Sequence, residues 1–173
     1  GAGTPKHVQD RVHAVNFNDL DSVRHVCEQH EVAALITEPI LQNIGVVMPQ
    51  PGYLEGLRAL ADAFGFVLIF DEVKTGFRHG LGGYQGVCGV TADLSTWAKA
   101  AANGYPISVL GGRRDLMDLV EDPDPARRVM IAGTYNAHPV PVAAAIATIE
   151  LLSADDGAIY RHLYAMGERL ERG

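Results

Sequence analysis

The sequence predicts an α/β fold, a mostly parallel sheet flanked by helices, and three observations predict it. Helical and strand-like patterns alternate through the first half of the chain, the order expected of such a domain. Phe66-Val-Leu-Ile-Phe70 is apolar without a polar break, as a strand covered on both faces is. Asp71 follows that run at once, at the end of a strand where open α/β sheets usually place ligands.

The elements follow in order. Asn18 or Asp19 can cap a helix whose apolar positions Leu20, Val23, Val26 and Cys27 share one face. Val32–Thr37 reads as a short buried strand, ended by Glu38-Pro39 because proline cannot donate to the ladder. Gly45 to Pro51 is loop. Pro51–Phe64 is a helix with Tyr53 or Leu54, then Leu57, Leu60, Ala61 and Phe64 on one side, closed by a left-handed Gly65. After the Asp71 strand, Thr75–Gly89 carries six glycines and no hydrophobic period, so it is expected to be loop. Short strands are expected at Asp93–Trp97 and Ile107–Leu110, and a helix from Asp115 that Asp122-Pro-Asp-Pro125 interrupts. Val140–Leu152 is alanine-rich and helical, with prolines near its first turn, and Asp155–Leu170 is a last amphipathic helix. No repeat, low-complexity tract or linker divides the 173 residues.

Composition narrows the function classes. The chain is 47% hydrophobic and 20% charged, an ordinary globular balance. A net charge of −7 gives no electrostatic support to a nucleic-acid or acidic-membrane partner. No apolar run approaches a membrane span. Cys27 and Cys88 cannot form a disulfide framework; they read as small buried hydrophobes and suit a reducing cytoplasm. The six histidines other than His138 form no metal-ligand spacing; the His25–His30 pair reads as a solvated helix face. No Gly-x-Gly-x-x-Gly follows a strand, which argues against a nicotinamide enzyme.

Two residues carry candidate chemistry. A carboxylate at Asp71 needs a positive partner, since an isolated buried charge costs several kcal/mol or is neutralised. A protonated ring nitrogen would serve, although a turn acid after a strand reads the same way. Lys99 stands 28 residues on, alone in the neutral segment Leu94-Ser-Thr-Trp-Ala-Lys-Ala-Ala-Ala-Asn-Gly-Tyr-Pro106. A lowered pKa and Schiff-base chemistry fit it, as does a plain surface lysine.

These segments, with Ile36-Thr-Glu-Pro-Ile40, Gly45-Val-Val-Met-Pro49, Gly82-Gly-Tyr-Gln-Gly86, Gly111-Gly-Arg-Arg-Asp115 and Gly133-Thr-Tyr-Asn-Ala-His-Pro139, resemble the class III aminotransferases, pyridoxal-phosphate enzymes of fold type I. Within that class the likeness is greatest to the glutamate-1-semialdehyde aminomutases, from about Asn16 to Leu170. The resemblance implies that residues 1–173 are the central part of the cofactor-binding large domain, without the N-terminal segment that carries a phosphate-binding turn and without the C-terminal small domain. It implies pyridoxal 5′-phosphate as cofactor and Lys99 as the catalytic lysine that binds it covalently. Asp71 would pair with the pyridine nitrogen, Val73 would pack on the ring, and Thr134 would reach the cofactor phosphate of a neighbouring subunit. A homodimer with shared active sites, acting on a small-molecule amino donor and acceptor, follows, with no metal and no nucleic acid. Glu38 falls near the site. Asn43 replaces a glutamate common in transaminases that use 2-oxoglutarate, and Lys74 stands where relatives have Gln or Met, which puts the substrate in question. His138 stands where relatives often have asparagine and receives no role. An ω-transaminase, a racemase or epimerase of the same class, and a non-catalytic dimerising fragment are the alternatives.

Overall fold

The computed structural model describes residues 2–173. Four strands form one sheet in chain order: β1 (Ala34–Thr37), β2 (Val67–Asp71), β3 (Leu94–Trp97) and β4 (Val109–Gly112). The first three run parallel, and β4 lies antiparallel beside β3. The helices are α1 (Lys6–Gln9), α2 (Leu20–Gln29), α3 (Tyr53–Phe64), α4 (Gln85–Cys88), α5 (Arg114–Met117), α6 (Pro139–Ser153) and α7 (Ala158–Glu171).

The core lies on one face of the sheet. Leu68 and Phe70 of β2 are wholly buried against Leu54, Leu57, Leu60 and Ala61 of α3 and Val23 of α2. Burying one such leucine contributes about 2 kcal/mol. Asp19 caps α2 by accepting from the Ser22 N–H at 3.0 Å. Gly65 ends α3 with φ 78°, where a side chain would be strained.

Among the described residues the two faces of β2 are covered unequally. Burial along β2 alternates, with Leu68 and Phe70 inside and Val67, Ile69 and Asp71 only half-buried. Neighbouring Ile36 is 64% exposed. Both α2 and α3 pack on the side of Leu68 and Phe70.

Smaller departures have local causes. The Thr75–Gly89 stretch contains the short helix α4, which its glycines concealed. The strand expected at Ile107–Leu110 sits at Val109–Gly112, because the antiparallel ladder pairs Ser95 with Gly111 and Leu94 with Gly112. The helix expected from Asp115 breaks into α5 and a 3₁₀ turn, Asp118–Glu121. The last helix begins at Ala158, since Asp155, Asp156 and Gly157 all take left-handed backbone.

Candidate active site

Parallel strands share a polarity, so the carboxyl ends of β1, β2 and β3 lie along one edge, and Asp71 and the Lys99 turn both arrive there. Asp71 closes β2 directly opposite Thr96 of β3, and Lys99 follows Thr96 by three residues.

Asp71 is held on one oxygen only. Its Oδ1 accepts from the Val73 N–H at 3.0 Å and from the Thr96 hydroxyl at 3.3 Å. Among the described residues nothing hydrogen-bonds Oδ2, and no cation lies within ion-pair distance.

Lys99 opens a 3₁₀ turn over Lys99–Ala101 with φ 44°, a left-handed backbone that costs a non-glycine residue about 1 kcal/mol or more. Its side chain is exposed and makes no ion pair or hydrogen bond among the described residues, while Ala101 and Ala102 beyond it are buried and fix the turn. Among the described residues, Lys99 shares positive φ with seven other non-glycine residues, Val46 and Phe77 among them.

Val73 is half-buried and meets Asp71 through its main-chain N–H. Lys74 donates from Nζ to Asn43 Oδ1, and Asn43 Nδ2 in turn donates to Glu38 Oε1 at 3.4 Å. This file of side chains ties the loop after β1 to the loop after β2, and it brings Lys74, Asn43 and Glu38 to the same edge. Thr134 stands apart: it is exposed in the turn closed by Asn136 N–H to Gly133 O at 3.0 Å and makes no hydrogen bond to Asp71, Val73 or Lys99. That turn borders an open groove of about 730 Å³ between Pro106–Leu110 and Ile131–Val142. His138, which received no role, caps α6 by accepting the Val140 N–H on Nδ1 at 3.3 Å.

Sequence reasoning missed several residues that shape this edge. Thr96 was legible only through register, as the residue paired with Asp71. Glu72 is buried behind Asp71 and gathers donors from the following loop. Tyr160 and Tyr164 of α7 donate to the carbonyls of Phe77 and His79, at 3.1 and 3.0 Å, clasping that loop from outside. Burial lowers the pKa of His79, against a raising influence from Glu72, and its ring meets Tyr84 edge-on at 5.4 Å.

A second aspartate sits at the amino end of the sheet. Asp93, 5% exposed, accepts from the Leu68 N–H at 2.8 Å, from Arg58 at 2.9 Å and from Arg113 at 3.0 Å. Burial alone would raise its pKa, but the Leu68 N–H and the two guanidiniums outweigh it and hold the carboxyl below its ordinary value.

With this geometry in view, the likeness to known proteins is extensive. The family described as aminotransferase class-III matches residues 4–172. A glutamate-1-semialdehyde 2,1-aminomutase of Ignicoccus hospitalis is 42% identical over 173 residues, covering 99% of this chain and 40% of that protein. The crystal structure of an omega-transaminase from Sphaerobacter thermophilus superposes with TM-score 0.87 at 35% identity, over 98% of this chain and 38% of that one. A glutamate-1-semialdehyde aminomutase variant from Pseudomonas aeruginosa, in complex with PMP, gives TM-score 0.80 at 30% identity over 92% of this chain and 36% of that one. The chain spans about 40% of the length of the curated relatives it matches.

Proposed function

This chain belongs to the class III aminotransferase family, and we propose that it serves a pyridoxal-phosphate-dependent aminotransferase or aminomutase that moves an amino group on a small amino acid or amine. One observation carries the reading: Asp71 has one oxygen fixed by Val73 and Thr96 and the other without a protein partner, at the sheet edge that the Lys99 turn also reaches, three residues past Thr96. Those residues fit the cofactor. An open carboxylate oxygen suits a ring N–H, and a free, exposed amine suits covalent attachment.

Pyridoxal phosphate, when bound, supplies an electron-withdrawing ring that stabilises negative charge on the substrate's amino-bearing carbon. The chain's own residues do the rest. Asp71 Oδ2 would accept the pyridine N–H and keep that proton in place. Thr96 and Val73 N–H aim the carboxylate. Val73, half-buried beside Asp71, would pack against the ring. Lys99 Nζ would be the group that holds the cofactor covalently, and its amine would be placed to move a proton at the substrate carbon.

Movement of the amine within one molecule is the reading favoured by the aminomutase relatives, with transfer between molecules second, on the omega-transaminase likeness. Residues 1–173 are read as the central part of the cofactor-binding domain. The functional unit is read as a homodimer in the cytoplasm. Among the described residues no helix is long and apolar enough to cross a membrane. Helix α6 carries a single charge, Glu150, yet Val140, Ile146, Ile149 and Leu151 lie exposed on it, and a helix apolar on every side needs covering. Thr134, at the start of that region, is read as reaching the partner's phosphate.

The test is absorbance of the purified protein with added pyridoxal phosphate, then borohydride reduction and peptide mapping. A yellow species fixed on Lys99, and lost in Lys99→Ala, is the expected result. A lasting adduct in Lys99→Ala, or none in the intact protein, would overturn the reading, the latter in favour of a non-catalytic dimerising role.

A further inference from the structure

The most deeply buried charge-bearing side chain in the described residues is the neighbour of the predicted acid. Glu72 is 0% exposed, and no cation lies within ion-pair distance of it. Its carboxylate is satisfied by donors alone. Oε2 accepts the Thr75 hydroxyl at 2.8 Å and the Tyr84 N–H at 2.7 Å; Oε1 accepts the Gln85 N–H and the Gln85 side-chain amide, each at 3.1 Å. Four donors and no acceptor face it, which is the pattern an ionised carboxylate requires.

Gln85 extends the network across the sheet. Its Nε2 also donates to the buried Ser95 hydroxyl at 2.9 Å, and its Oε1 accepts the Ala92 N–H at 2.8 Å. The two donors that aim Asp71 come from Val73 and Thr96. Val73 adjoins Glu72, and Thr96 adjoins Ser95. The buried network on one side of the sheet thus grips the residues next to both donors on the other side. The loop closes tightly enough that a Cβ at Gly83, whose φ is 64°, would lie 2.4 Å from a Glu72 carboxylate oxygen.

We propose that Glu72 is the positioning residue of the Asp71 site: it clamps the loop over residues 75–85, sets the two donors that aim Asp71, and adds a buried negative charge behind it. The inference builds on the cofactor reading of Asp71, since the charge matters only if a protonated ring meets that acid. Removing the charge lowers the affinity of the edge for a ring that carries a proton, and it lowers the pH at which that proton leaves.

The test compares wild type, Glu72→Gln and Thr75→Val, each titrated with pyridoxal phosphate by absorbance across pH, with hydrogen exchange of the 82–88 segment as an independent readout. In Glu72→Gln an amide N–H is forced against donor N–H groups. Exchange should quicken, cofactor affinity should fall about tenfold, and the pH midpoint of the bound cofactor's absorbance should move down. Thr75→Val keeps the charge and removes one donor; exchange and affinity should change in the same direction, about threefold, with the midpoint unmoved. If Glu72→Gln does not fold, Thr75→Val decides the clamp, and unchanged affinity and exchange would overturn it. A folded Glu72→Gln with the wild-type midpoint would overturn the charge role. A wild type that binds no cofactor would sink both readings together, whereas a binding wild type with indistinguishable variants sinks this one alone.

Discussion

Asp93 and Asp71 sit at opposite ends of the same sheet and are treated in opposite ways. Asp93 is surrounded by its own chain: a backbone N–H and two guanidiniums satisfy it, and it ties β2, β3, α3 and the end of β4 together. Asp71 is aimed on one oxygen and left open on the other, with no cation near. The difference teaches how to separate structural from functional charge. Asp93 is neutralised within its own fold and needs no outside partner, whereas Asp71 is oriented without an ion pair, as the proposed contact with a ring N–H requires; Glu72, equally without a cation, is instead satisfied by four donors of its own chain.

The contrast can be broken by mutation, and the largest effect falls at the open end. Asp71→Asn keeps the shape and should cut turnover about a thousandfold while the unfolding midpoint hardly moves. Steady-state kinetics beside denaturant unfolding would check it, and a variant with wild-type turnover would make Asp71 another structural acid. Asp93→Asn should do the reverse. Two guanidinium contacts are weakened in a buried place, so stability should fall by about 2–3 kcal/mol while cofactor binding is retained. Because the folded state depresses the Asp93 pKa, its contribution is complete above the ordinary aspartate value of about 3.9 and is lost as pH falls below it. Wild-type stability should therefore drop more steeply than that of Asp93→Asn in this acid range. The smallest effect belongs to the clasp on the 77–79 loop: Tyr164→Phe removes one exposed hydrogen bond to His79 O and should cost about 0.5 kcal/mol, read by denaturant unfolding.

The two aspartates were not equally legible. Asp71 stood out because a long apolar run delivers it, and the run's strand is present. Asp93 follows Thr91-Ala92 with no signal of its own, because its importance comes from Arg58 and Arg113, 35 and 20 residues away in sequence. The same limit applies to Glu72, whose partners lie in a glycine-rich stretch where periodicity says nothing. Alternation of helix and strand was readable because packing on one face imposes a period on each element. What covers the second face of β2 was not, since an uninterrupted apolar run looks alike whether one layer or two protect it. Glycines at 111 and 112 hid the far end of β4, having no side chains from which strand propensity could be read.

The left-handed backbone at Lys99 has a consequence for natural variation at that position. Glycine adopts φ 44° without strain, and asparagine nearly so, so either would relax the turn. Lys99→Gly should therefore unfold at higher denaturant than Lys99→Ala, by about 0.5–1 kcal/mol. A lineage selected only for robustness would drift towards the smaller residue. On the proposed cofactor reading, the amine is what keeps a lysine at a position where glycine would be more stable.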